Sequence, residues 1–162
     1  MATIEEAVGD GYLDLFEVPE GDERLPIRPL YVTQTFLDLA DNTNAMHELK
    51  FGKGGRTIFE HLLQALCDFR CGARPAGAGD LRRMMPTKNG VWSFHTVGLR
   101  TYGWCPAPHA FVAVTSALEI QTKADKSLND KKLAEVLIFA KTHGLAGTIK
   151  LGDVLALFPH QT

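Results

Sequence analysis

The hydrophobic and polar positions of the first half of the chain follow mostly a helical period. Leu25–Thr33 has β-branched and aromatic residues between prolines, which predicts an edge strand. In Thr33–Lys50 the apolar residues recur at roughly helical spacing and predict one or two helices. Thr57-Ile-Phe-Glu60 has the capping-box pattern and begins a longer predicted helix that closes near Gly72. The glycines and the proline of Gly72–Gly79 predict a loop.

The second half changes to the patterns of strands. Val91–Tyr102 and Ala110–Leu118 are predicted as two strands that the loop Gly103–Pro108 joins into a hairpin. A helix is predicted to start after Ser127 and to stop at Gly144. The short apolar run Val154–Phe158 is a possible last strand.

These elements predict an α+β fold with an N-terminal strand and helices, an antiparallel sheet of about four strands, and a C-terminal helix. The 162 residues, 45% of them hydrophobic, suit one core. The longest uncharged apolar run, Ala110–Leu118, is about half of what a bilayer span needs, so no membrane partner is predicted. The odd cysteine count without an export signal predicts reduced thiols in a cytoplasmic protein.

The formal charge of −2 hides a strong asymmetry along the chain. Residues 1–24 hold eight acidic residues and one arginine, whereas Lys50–Lys132 holds thirteen basic and six acidic residues. The chain therefore divides into an acidic N-terminal arm, residues 1–24, and a single α+β domain, residues 25–162. The arm is either a solubilising, poorly ordered terminus or a segment that lies on the basic body and competes with an anionic ligand.

Motifs for common cofactors and metals are weak. Gly52–Thr57 (GKGGRT) is glycine-rich before a helix but lacks the phosphate-loop spacing, which favours a flexible loop. Cys67 and Cys71 are four residues apart, but no second Cys/His pair follows at zinc-finger spacing, so core thiols are favoured. The six histidines form no HExxH motif or hydrolase triad. We therefore predict neither a metal site nor a cofactor.

A group of basic residues is spread over the loop and the sheet. Simple alternation along one strand puts His95 and Arg100 on opposite faces, and a bulge at Gly98 would bring them to the same face. If they converge, an imidazole that moves a proton beside a cation that holds phosphorane charge indicates RNA cleavage. The alternative is a solvated basic face of the sheet. The basic group consists of Arg82, Arg83, Lys88, His95, Arg100, Lys123 and Lys126.

From Leu30 to His143 the order of elements and several local patterns resemble the RelE/HigB-type toxins, small bacterial mRNA interferases that also occur in phages. The segments that carry the resemblance are Asp80–Met84, Val91–Thr96, Gly98–Tyr102 (a G-x-R-x-x-Y-like strand), Phe111–Ser116 and Lys123–His143. The chain departs from the family's Phe-x-Lys-Lys pattern at Ala117–Lys123, where Glu119 stands near an expected cation.

The resemblance implies an endoribonuclease that cuts mRNA on the ribosome by attack of the ribose 2′-hydroxyl on the adjacent phosphate, without a metal, and a cognate antitoxin as partner. It implies that Arg100 contacts the scissile phosphate and that His95 transfers a proton. Ser93 and Tyr102 would join the RNA-binding surface, together with the nearby charge of Lys88 or Arg83. An RNA-supplied nucleophile fits the lack of a protein nucleophile motif.

A second hypothesis belongs to a different class of protein. The acidic arm, residues 1–24, would mimic a nucleic-acid backbone, and the chain would be a non-catalytic inhibitor, possibly phage-borne, of a host protein that binds nucleic acid. The sequence leaves the oligomeric state open.

Overall fold

We describe the fold from a computed structural model, which covers residues 1–51, 54–72, 81–84 and 89–152. The predicted loop residues 73–79 and the predicted strand Val154–Phe158 lie outside the described residues. A 3-10 turn, Ala146–Thr148, ends the described part. The helices and strands in chain order are α1 (Ile4–Gly9), β1 (Asp14–Leu15), β2 (Leu30–Val32), α2 (Gln34–Asn42), α3 (Asn44–Glu48), β3 (Lys50–Phe51), β4 (Arg56–Thr57), α4 (Ile58–Arg70), β5 (Leu81–Arg83), β6 (Val91–Thr96), β7 (Leu99–Trp104), β8 (Phe111–Leu118), α5 (Glu119–Ala124) and α6 (Leu128–Thr142).

The predicted α+β class is confirmed, but the sheet is larger than predicted. Six strands pair in the order β1-β2-β8-β7-β6-β5, and all pairs except β2 with β8 are antiparallel. β3 and β4 form a separate two-stranded ribbon. The count of about four was too low because β1 and β5 are only two and three residues long and because one predicted strand is two strands.

That second error concerns Val91–Tyr102, which turns back on itself. Val97 and Gly98 form a tight turn between β6 and β7, with Gly98 at φ +74°, a conformation that glycine adopts without strain. The alternation of side chains along the sequence cannot distinguish a short turn from a bulge at Gly98. Both features interrupt the period of two at the same residue. The turn makes His95 and Arg100 neighbours across two strands.

Helices cover both faces of the sheet and divide the core into two clusters. On one face, Leu62 and Leu66 of α4 pack with Trp92 and Phe111. On the other face, Val136 of α6 packs in a second cluster, whose largest members are Tyr102 and Trp104. The predicted capping box of α4 is confirmed, with the Thr57 and Glu60 side chains accepting each other's backbone N–H. No helix among the described residues is long and apolar enough to cross a membrane.

The first sixteen residues of the predicted acidic arm are built into the fold. β1 pairs with β2, and Ile4, Ala7 and Leu13 are buried in the same cluster as α6. The interpretation of a poorly ordered terminus is therefore wrong for this stretch. Acidic side chains alternate with these apolar ones along the sequence, so the charge of the segment obscured its amphipathic pattern.

Leu13→Ala tests this packing directly. Leu13 is 0% exposed, so its truncation should reduce the free energy of unfolding by about 2–5 kcal/mol, as for other large-to-small core substitutions. Urea unfolding followed by circular dichroism measures the loss. Leu25→Ala is the matched control, since Leu25 is 80% exposed, and we expect it to change stability by less than about 0.5 kcal/mol. Equal midpoints for the two variants would show that the segment does not contribute to the core.

Candidate functional site

The hairpin of β6 and β7 places a set of polar side chains on one face of the sheet. His95 lies directly opposite Arg100, and Ser93 lies directly opposite Tyr102. On the other side of β6, Arg82 of β5 lies opposite Ser93. Directly opposite residues in antiparallel strands project to the same face. The hairpin thus assembles a polar cluster of Arg82, Ser93, His95, Arg100 and Tyr102.

A cleft of about 510 Å³ opens at the turn end of this hairpin. The sheet contributes Arg82, His95 and Arg100 to its wall, α4 contributes His61 and Gln64, and α5 begins there with Glu119. Two cations, two imidazoles and one carboxylate therefore line the opening, the sheet residues from the face that Tyr102 shares and His61 from α4 on the opposite face. Such a set suits an anionic ligand whose reaction moves protons.

The pKa of His95 is lowered from 6.5 to about 4. Burial of the imidazole is the main cause, and the charges of Arg82 and Arg100 add to it, while Glu119 opposes the shift. Near neutral pH the ring is uncharged, so it can accept a proton from a bound ligand. A phosphate bound beside Arg82 and Arg100 would offset their charge and raise the pKa of His95, which makes it a stronger base in the complex.

The depressed pKa of His95 predicts a pH dependence of stability. Between pH 6.5 and pH 4 the unfolded chain binds a proton on this imidazole that the folded chain does not, so the free energy of unfolding falls as the pH is lowered through that window. Urea unfolding at pH 7.0, 5.5 and 4.5 should show a steeper loss for the wild-type chain than for His95→Gln. An NMR titration of the His95 ring should give a midpoint near 4. Identical pH profiles for the two chains, or a midpoint near 6.5, would contradict the assigned environment.

Arg100 holds an unused hydrogen-bond donor in the cleft. Its Nε is buried and finds no acceptor among the described residues, and the same is true of the Ser93 hydroxyl. Ser93 is only 5% exposed. Buried donors without a partner are costly, and both of these lie beneath the surface of the sheet next to the cleft.

Tyr102 connects the polar cluster to the start of α6. Its hydroxyl donates to Asn129 Oδ1 at 2.6 Å, which fixes the ring beside Arg100. Burial raises the pKa of the Tyr102 phenol, and the neighbouring Arg100 partly offsets that effect. The Tyr102 hydroxyl is therefore already engaged, and its ring lies on the same sheet face as Arg100.

Glu119 enters the cleft at the point where the chain departs from the toxin pattern. Its carboxylate is 2.8 Å from the ammonium of Lys123, one helical turn further along α5. The hydrogen bond from Lys123 lowers the pKa of Glu119, with smaller contributions from Lys123, Arg100 and His95 charges, so the group stays ionised. A carboxylate here reduces the positive charge of the cleft without removing it.

Among the other predicted RNA-binding residues whose side chains the structure describes, Ser93, Tyr102, Lys123 and Lys126 do not line the cleft. Lys123 is exposed and paired with Glu119, and Lys126 is exposed between α5 and α6. Arg83 lies opposite Trp92 in the strand register. Lys88 lies outside the described residues. The predicted residues that line the cleft are therefore Arg82, His95 and Arg100, and Ser93 and Tyr102 lie beside them on the same sheet face.

Sequence reasoning missed the contribution of α4. His61 follows the capping box of that helix by one position, and its Nε2 lies 3.0 Å from the carbonyl oxygen of Phe51. Because a carbonyl only accepts, Nε2 donates this hydrogen bond. No sequence signal linked this histidine to the cleft, since α4 reaches the cleft wall only through its packing on the sheet.

The cysteines and the possible metal ligands lie elsewhere. Cys67 and Cys105 are buried, Cys71 is partly buried, and all three are free thiols. Within the described ranges, no group of three or more His, Cys, Asp or Glu side chains could hold a metal ion. Comparisons of the chain with protein-family models, with curated proteins and with solved structures find no match.

Proposed function

We propose that this protein is a metal-independent endoribonuclease that cuts mRNA during translation, with His95 as the proton-transfer group and Arg100 as the phosphate-binding cation. The observation that carries the proposal is the direct cross-strand pairing of an uncharged imidazole with an arginine whose Nε is buried and unpartnered. RNA supplies its own nucleophile, so the protein needs only a base, an acid and stabilisation of charge.

The chemistry balances with the residues of the cleft. His95 takes the proton of the ribose 2′-hydroxyl while that oxygen attacks phosphorus, and the P–O5′ bond breaks. Arg100 and Arg82 stabilise the negative charge of the phosphorane. The leaving 5′-oxygen takes a proton from water, and His95 returns its proton to the hydroxide that forms. The products are a 2′,3′-cyclic phosphate and a 5′-hydroxyl.

Dependence on translation rests on the resemblance to the RelE/HigB-type toxins. The described elements support it by their order, since a strand and helices precede an antiparallel meander and a C-terminal helix. A toxin of this class acts in the cytoplasm on mRNA held by the ribosome and is restrained by a cognate antitoxin. The ribosome would then contribute the remaining substrate binding, which fits the modest positive charge of a cleft that includes Glu119.

The experiment compares mRNA in an active translation mixture with the same mRNA free in buffer. We expect the wild-type chain to cut only the translated message, to remain active after addition of a chelator, and to leave 5′-hydroxyl ends that a polynucleotide kinase can label. Intact mRNA in the translation mixture would refute the nuclease. Cleavage that stops when the chelator is added would refute the metal-independent mechanism.

A second candidate function, inhibition of a nucleic-acid-binding protein, is favoured by one observation. Glu5, Asp10 and Asp14 are exposed on the folded N-terminal segment and form no ion pair with another described residue. Removing residues 1–24 would also remove buried core residues, so the test is Glu5→Gln, Asp10→Asn and Asp14→Asn together. If the triple variant no longer inhibits the nucleic-acid-binding protein, the result supports the inhibitor function. If the variant cuts translated mRNA as the wild type does, the result favours the nuclease.

A further inference from the structure

Strand β8 has an outer edge that β2 covers only in part. β2 pairs with residues 111–113 of β8, and the chain then turns into α2 after Thr33. The rest of β8, from Val114 to Leu118, pairs with β7 on one side and with no described strand on the other. An uncovered stretch of strand presents backbone donors and acceptors with which another chain can pair.

The register of β7 and β8 shows which backbone groups of this stretch point away from β7. The Glu119 N–H donates to the Gly98 carbonyl across the two strands. Hydrogen-bonded and non-hydrogen-bonded pairs alternate in an antiparallel ladder, so the N–H and C=O of Ser116 point outward. The same alternation turns the Leu118 N–H outward, where it donates to Gln121 Oε1 at 3.1 Å.

Ser116 differs from its neighbours along this edge in its hydrogen bonding. The Val114 carbonyl accepts from the Thr33 hydroxyl at 2.6 Å, and the Leu118 N–H is satisfied by Gln121. The N–H and C=O of Ser116 have no partner among the described residues, although Ser116 is only 7% exposed. Backbone groups that are buried without partners are costly, so a strand added here would gain two hydrogen bonds at Ser116.

A groove of about 500 Å³ opens over this edge, with residues 116–118 in its lining. Its walls come from helices on opposite faces of the sheet. Leu39 and Met46 of α2 and α3 form one wall, and Leu128 and Lys132 of α6 form part of the other. The uncovered edge of β8 therefore lies between an apolar wall and a wall that carries a cation.

We propose that this groove binds an extended acidic segment of another protein, which adds to the edge of β8 as a strand. A strand offers the donor and the acceptor that Ser116 lacks, whereas an apolar ligand would leave both groups unpaired. Successive side chains of an added strand project to opposite faces, so they would alternate between Leu39 and Lys132. None of the polar side chains described in the cleft lines this groove, so the site goes beyond the proposed function.

Charge complementarity favours acidic side chains on the α6 side. The Lys132 side chain is 13% exposed, and its ammonium donates to Thr115 Oγ1 at 3.2 Å, one residue before Ser116. The Glu135 carboxylate, 3.4 Å from this ammonium, is 47% exposed and does not line the groove. Asp125 lines the groove, but it lies 3.6 Å from the Lys131 ammonium. A carboxylate on the added strand would therefore meet a largely buried cation beside the edge.

A fluorescein-labelled pentapeptide of sequence VEVEV, titrated with the full chain and followed by fluorescence anisotropy, tests the proposal. We expect saturable binding. Only alternate N–H groups of an added strand face β8, so N-methylation of either all valines or all glutamates, but not of the other set, should weaken binding by about tenfold. The neutral peptide VQVQV should bind about threefold more weakly than VEVEV. Absence of binding, or equal effects of the two N-methylations, would overturn the proposal.

Variants assign the two walls. Ala124→Trp fills the groove from an exposed position on α5 and should weaken binding of VEVEV by at least about tenfold, whereas Ala134→Trp, at an exposed alanine of α6 outside the groove, should not. Lys132→Met keeps the apolar stem and should abolish the preference for VEVEV over VQVQV. Lys141→Met, at an exposed lysine in the last turn of α6, should keep that preference.

Hydrogen exchange followed by NMR reports on the edge itself. In the free chain the Ser116 amide should exchange at least about tenfold faster than the amides of Thr115 and Ala117, which point to β7, and bound VEVEV should remove the difference. Equal protection of the three amides in the free chain, or no change at Ser116 with peptide bound, is the contrary result. A dimer in sedimentation that Ala124→Trp dissociates would place a second copy in the groove and also overturn the proposal.

Discussion

His95→Gln and Arg100→Ala should each remove most of the proposed RNA cleavage. Loss of a general base costs about 10²- to 10⁴-fold in rate, and loss of a cation that stabilises transition-state charge costs about 10²- to 10³-fold. Glutamine fills the place of the imidazole but cannot take the 2′-hydroxyl proton. Alanine at position 100 removes the buried Nε donor together with the charge. Cleavage of a translated message, followed by primer extension over time, measures both losses.

The controls distinguish chemistry from folding and from bulk charge. Arg100→Lys keeps a positive charge without the planar fork of donors, so it should recover only part of the lost rate. Arg56→Gln removes a cation whose guanidinium contacts the Glu60 carbonyl outside the cleft, and its rate should equal that of the wild type. Since both groups act on one phosphate, the double variant His95→Gln/Arg100→Ala should lose less than the product of the single effects. Full activity of both single variants would refute the assigned site.

Gly103→Ala should have the largest effect on stability. A Cβ at this position would lie 1.7 Å from the carbonyl oxygen of Val112 and 2.8 Å from its carbonyl carbon, and both atoms belong to the backbone of the neighbouring strand β8. Backbone atoms within a paired strand cannot move aside as a flexible side chain can. The register between β7 and β8 shifts at Tyr102 and Gly103, so this close approach is part of the irregularity that places the strands.

We expect Gly103→Ala to destabilise the fold by more than about 4 kcal/mol, or to prevent folding. Urea unfolding and the yield of folded protein measure the effect. Gly9→Ala is the matched control, because a Cβ there meets nothing within 4 Å, and its stability should change by less than about 1 kcal/mol in either direction. Unfolding midpoints that agree for the two alanine variants would show that β7 and β8 are not packed this closely. A partly folded Gly103→Ala should also lose the depressed pKa of His95, since the burial that lowers it depends on the paired strands β6 and β7.

Local patterns predicted the parts of this protein whose stability depends on nearby residues. The capping box of Thr57 and Glu60 identified the start of α4, because caps involve residues three positions apart. The apolar spacing before Lys50 predicted one or two helices, and the structure has two. The same reasoning identified the α+β class. It overestimated the length of the first strand, predicted as Leu25–Thr33 and observed as Leu30–Val32, because strand ends depend on a partner that is distant in sequence.

The sequence predicted residue types for the candidate site, but it did not predict how those residues are arranged in space. His95 and Arg100 were chosen for their chemistry, but only the turn at Val97 and Gly98 makes them face each other, since pairing across strands decides which side chains share a face. His61 joined the site because α4 packs on the sheet, which no spacing along the chain encodes. The sequence by itself determined helix starts, the overall class and the supply of cations. The tertiary structure decided which of those cations meet, because their distances depend on strand register and helix packing between residues far apart in the chain.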